Sequence, residues 1–135
     1  MSKLFITLVA LTGLGAAGPA AAQTYSANAA ATPLSEDSYK TAKKDADTQY
    51  GADKSGCASL SANAKDICLA QAKGKHEVAK ADAEVAYKNT TKHREEARVA
   101  RAEAAYKVSM EKCDDLAGDA KAVCVKNAKS DFGKS

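Results

Sequence analysis

Residues 91 to 117 carry the clearest periodic pattern in the chain. Val99, Ala102, Tyr106, Met110, Cys113 and Leu116 recur at three- and four-residue spacing, the signature of one stripe on a helix. Its other face carries Arg94, Arg98, Arg101, Glu103 and Lys107, with Glu103 and Lys107 spaced as a favourable i,i+4 pair. Glu84 and Lys88 repeat that spacing upstream. Thr90 or Thr91, just after Asn89, can cap the helix, and Glu95 and Glu96 stand near its positive end. Leu34-Ser35-Glu36-Asp37 supplies another cap with acidic first-turn residues. The pattern predicts an all-α chain of four long, thin helices, roughly 36–60, 64–88, 91–117 and 120–131. Short connections make successive helices antiparallel. Gly51 and Gly56 weaken the first helix and Gly74 the second, each by about 1 kcal/mol relative to Ala.

The first 22 residues follow a different pattern. Lys3 precedes an uncharged stretch from Leu4 to Gly18, then Pro19 and Ala20-Ala21-Ala22. A charged start, a short apolar run and a small-x-small exit predict a secretory signal peptide over 1–22, cleaved to leave Gln23 at the new N-terminus. A membrane anchor is the weaker reading, because Gly, Thr and Pro dilute a stretch already short of the roughly 20 apolar residues a span needs. Residues 23–34 read as a flexible linker and 35–132 as one helical domain.

Within that domain two stretches align at an offset of 56 residues. Tyr50, Cys57, Leu60, Ala64, Lys65, Cys68, Ala72 and Lys73 are matched by Tyr106, Cys113, Leu116, Ala120, Lys121, Cys124, Ala128 and Lys129. The domain therefore reads as two repeats, about 39–76 and 95–132, each with one C-x10-C pair. In an exported chain an even cysteine count reads as a disulfide framework. The midpoint of Cys57 and Cys68 falls at Ala62/Asn63, and that of Cys113 and Cys124 at Gly118/Asp119, both on predicted turns. An unbroken helix would hold either pair about 16 Å apart, against the roughly 7 Å limit for a disulfide. The pairing predicted is Cys57–Cys68 and Cys113–Cys124, two disulfide-stapled helical hairpins. Cross-pairing of Cys57 with Cys124 is the competitor, since both hairpin tips fall at one end.

Composition explains why staples are needed. Past the signal, bulky apolar residues are confined to Leu34, Leu60, Ile67, Leu69, Val78, Val85, Val99, Val108, Met110, Leu116, Val123, Val125 and Phe132, and alanine fills the deficit. A core this thin calls for covalent support. Without Lys3, 19 basic residues face 17 acidic ones, interleaved along the helices. That balance argues against nucleic-acid binding, which needs a basic face.

Few residues suggest chemistry. There is no C-x-x-C, no C-x-x-C-H, no G-x-S-x-G and no glycine-rich phosphate loop. The carboxylate pairs Asp45/Asp47 and Asp114/Asp115 lie among Lys and Ala and read as solvated faces. His76 and His93 read as solvent-exposed and too far apart to share a metal, leaving a site between subunits as the alternative. Tyr50 and Tyr106 are expected to cover the staples. These readings predict no enzyme, no cofactor and no catalytic residue.

The units Cys57-Ala-Ser-Leu-Ser-Ala-Asn-Ala-Lys-Asp-Ile-Cys68 and Cys113-Asp-Asp-Leu-Ala-Gly-Asp-Ala-Lys-Ala-Val-Cys124 resemble those of Ala/Lys-rich exported helical proteins of Gram-negative bacteria, sometimes labelled cell-envelope or TolA-like. The resemblance covers roughly 36–131 and implies a periplasmic helical protein without an activity to carry over. Ala62 departs from the glycine associated with the first turn. The resulting expectation is a non-enzymatic periplasmic interaction or structural module, associating with a protein partner or itself through helix seams. It has no integral membrane segment after signal cleavage. Alternatives are a periplasmic metal- or redox-responsive binding protein and a chaperone-like clasp.

Overall fold

The computed structural model of the protein describes residues 32–134. The predicted signal peptide, its cleavage point and the linker as far as residue 31 lie outside the described residues. Those described form helices α1 (Glu36–Gly56), α2 (Ala62–Lys88), α3 (Thr91–Cys113) and α4 (Gly118–Asp131), with a 3-10 turn at Cys57–Ser59 and, among the described residues, no strand. Ser35 caps α1, its hydroxyl accepting from the Ser38 amide, and Thr90 caps α3 by accepting from the His93 amide. Asn89 ends α2 in the left-handed region at φ 46°, its amide donating to the Val85 carbonyl. Leu34, assigned from sequence to the linker, is tied down: its amide donates to the Ala86 carbonyl at 2.8 Å.

Four helix ends differ from those predicted. The first helix stops at Gly56 rather than 60, and the third at Cys113 rather than 117. The second and fourth start at Ala62 and Gly118, two residues earlier than expected. The cause is common to both turns. Ala62 and Gly118 take positive φ, 47° and 54°, right after an extended residue, Ser61 or Ala117. The chain reverses there, so the helix before it must end near the cysteine.

The helices form an antiparallel row in which α1 packs on α2, α2 on α3 and α3 on α4, with no other pairing between α-helices among the described residues. The two stapled hairpins of long, thin antiparallel helices expected from the sequence are present. A row has no single interior, and the buried positions record this. They are Ala46, Cys57, Ala72, Gly74, Ala83, Ala97, Cys113 and Ala128; among the described residues no Leu, Ile, Val, Met or aromatic side chain is buried. Small side chains are the ones that fit where two helices touch, and the larger apolar ones stay partly exposed. Val99 and Leu116, assigned to the inward stripe of the third helix, are 40% and 41% exposed, and Leu116 lies beyond the helix end.

The tightest seam is α2 on α3. A Cβ placed on Gly74 would come within 2.8 Å of the Ala104 Cβ, closer than carbon atoms tolerate. Sequence propensity assigns Gly74 only a cost; here the missing side chain sets the separation of the two central helices.

Candidate functional site

The residues singled out from sequence gather on the seams and at the stapled end of the row. Cys57–Cys68 and Cys113–Cys124 are both bonded, with Cα separations of 5.7 and 5.6 Å. The predicted pairing stands, and the Cys57 with Cys124 alternative is excluded. Each bond closes a turn of the same build. Leu60 and Leu116 amides donate back to the Cys57 and Cys113 carbonyls at 3.1 and 3.0 Å, and Lys65 and Lys121 amides donate to the Ser61 and Ala117 carbonyls. The two turns sit at one end of the row, where the Asn63 side-chain amide donates to the Glu111 carbonyl at 2.8 Å.

The tyrosines do not cover the staples as expected; they pair with rings from the next helix. Tyr50 stacks on His76 with centroids 4.6 Å apart, and Tyr106 meets Phe132 edge-on at 6.0 Å. A third pair, Tyr39 on Tyr87, stacks at 4.6 Å near the far end of α1 and α2. Aromatic side chains could be placed on one helix by sequence, but only packing chooses which ring on the neighbour they meet.

Around these rings runs a polar seam. Tyr39 donates its hydroxyl to Glu84 Oε1 and accepts from Lys43 Nζ. The Tyr39 bond holds the Glu84 carboxyl below its ordinary range, with Lys88 assisting and burial opposing. Lys43 is raised by the same hydroxyl. His76 Nε2 lies 2.6 Å from Asp47 Oδ1, and this hydrogen bond lowers the Asp47 carboxyl, with Lys80 adding to the effect. The histidines are therefore not solvent-exposed as read from sequence: their side chains are only 17% and 16% accessible. His93 Nδ1 sits 2.6 Å from the Thr90 hydroxyl at the start of α3.

Ion pairs join neighbouring helices as well as positions three and four apart on one helix. Lys107 reaches Glu77 on α2 and Lys134 reaches Glu103, so the predicted Glu103/Lys107 pair is not made. The local Glu84/Lys88 pair is made, at 3.4 Å. Of the carboxylate pairs, Asp47 joins His76, Asp114 joins Lys121 at 2.8 Å, and Asp45 is exposed.

Chemically, this arrangement offers grooves between helices. One, lined by Gln71, Val78, Arg101, Ala104, Val108 and Lys112, follows the α2–α3 seam; another lies along α3 and α4 and reaches Cys113 and Cys124. Among the described residues no three His, Cys, Asp or Glu side chains cluster to hold a metal ion, and no helix is long and apolar enough to cross a membrane. The chain matches no protein-family model, no curated protein and no solved structure.

Proposed function

We propose that the chain is a non-enzymatic, exported interaction or structural module that works in the periplasm by accepting a helix of a partner along its open row. One observation carries the reading. The row keeps every bulky apolar side chain of the described residues at least partly accessible, as with Leu60, Val99, Leu116 and Val123 at 40 to 56% exposure. An amphipathic helix laid into such a groove buries surface that the chain cannot bury by itself. Two disulfides fit an oxidising compartment, and the charged start and small-x-small exit fit export.

The reading is tested in two steps. Fractionation of cells expressing the tagged full chain should place it in the periplasm with Gln23 at its N-terminus. Lysine-directed crosslinking in those cells should then yield a discrete protein adduct. That adduct should weaken when Val78 and Val108, on the α2–α3 groove, are replaced by Lys. Retention in the cytoplasm with residues 1–22 intact would end the export part. Absence of any adduct, self-adducts included, would end the interaction part.

A further inference from the structure

The two staples are alike in chemistry and unlike in what they hold. In each, one cysteine is fully buried and the other is not: Cys57 and Cys113 have no exposed surface, whereas Cys68 and Cys124 are partly accessible residues beside open grooves. Behind Cys57–Cys68 stands a long seam. α1 keeps two stacked ring pairs with α2, the Tyr39 to Glu84 bond, and the Asp47 contacts with His76 and Lys80. Behind Cys113–Cys124 stands little. α4 is 14 residues long, packs on α3 alone and buries only Ala128. Val123 is 56% exposed, and the far end is held by the Tyr106–Phe132 edge contact and Lys134 to Glu103. A helix of that length is marginal in water without packing.

We propose that Cys113–Cys124 is a redox-sensitive latch: its reduction by a dithiol releases α4 from α3, whereas reduction of Cys57–Cys68 leaves α1 docked. The exchange proceeds from the accessible side. A thiolate of the dithiol attacks the Cys124 sulfur, forming a mixed disulfide and expelling Cys113 as thiolate. The second thiolate of the dithiol then closes on its own first sulfur and expels Cys124. Two electrons and two protons pass to the cysteine pair, and the dithiol becomes a disulfide. With the bond gone, the Tyr106 side of α3 loses its cover. This inference does not depend on export or on a partner.

Amide hydrogen exchange on the full chain tests it. In C113S/C124S the amides of 118–131 should exchange at least about tenfold faster than in the oxidised native chain, while those of 72–83 and 97–104 stay protected. In C57S/C68S the amides of 36–56 should keep their protection. The native chain reduced with dithiothreitol should show the same loss in 118–131 and recover it on reoxidation. The latch is overturned if α4 stays protected in C113S/C124S or in the reduced chain. It is equally overturned if α2 and α3 lose protection together with α4, or if α1 is released to the same degree when its own staple is removed.

Discussion

The α1–α2 and α3–α4 hairpins share a turn, a staple and a ring contact at positions 56 residues apart, yet they are reinforced very differently. In the first, helices of 21 and 27 residues are tied by two stacked ring pairs and by carboxylates hydrogen-bonded between them. In the second, a 14-residue helix meets α3 at the staple, at Ala128 and at Phe132. His76 in the first hairpin reaches Asp47; Phe132, at the matching position of the second, has no group to donate. The same cross-link can thus be one restraint among several or the main one, depending on the seam behind it.

The largest effect expected is loss of a staple. The chain-entropy model assigns about 3 kcal/mol to a loop of this size. Cys57→Ser with Cys68→Ser should lower the thermal midpoint in one transition and leave the helical signal below that transition whole. Cys113→Ser with Cys124→Ser should instead lose part of the helical signal before the main transition. Circular dichroism melts separate the two outcomes, and identical curves would erase the contrast between the hairpins.

Next comes the central seam that both hairpins share. Gly74→Ala gains about 1 kcal/mol of helix propensity. It must also displace Ala104, an overpacking cost of about 1–3 kcal/mol, so we expect net destabilisation of about 1 kcal/mol in urea titrations. Gly51→Ala, with open space around the new carbon, should stabilise by about 0.5–1 kcal/mol. Equal signs for the two would mean that the close approach at Gly74 relaxes freely.

The turns give a smaller, reciprocal pair. Ala62 holds a left-handed conformation that glycine holds at 118. Ala62→Gly should stabilise by about 1 kcal/mol and Gly118→Ala should cost a similar amount, since a side chain in that region costs about 1–2 kcal/mol. Both are read from denaturation midpoints in the oxidised protein.

The smallest effect is on acidity. Asp47 and Glu84 are held below their ordinary range in the folded chain. Such groups add stability above their unfolded-state values, and that stability is lost as pH falls through the folded-state values. Titration from pH 7 to about pH 3 should therefore loosen the α1–α2 seam progressively across the acidic range. Asp47→Asn or Glu84→Gln should flatten that dependence, measured as exchange rates in residues 36–56. An unchanged slope in both variants would remove these carboxyls from the account.

Local information was enough for a good part of this protein. Apolar spacing and caps located four helices, with Ser35 and Thr90 as real caps, because those signals act within one helical turn. The cysteine spacing, read against the reach of a disulfide, selected Cys57–Cys68 and Cys113–Cys124. What the sequence could not decide was which helix faces which. Alanine marks every face of these helices almost equally, so hydrophobic periodicity points weakly, and the assigned stripe missed Ala97 and Ala104 while including the exposed Val99. Only the tertiary structure settled the open row, the role of Gly74 and the partners of His76, Tyr50 and Lys107. Each depends on distances between helices that no spacing along one helix encodes.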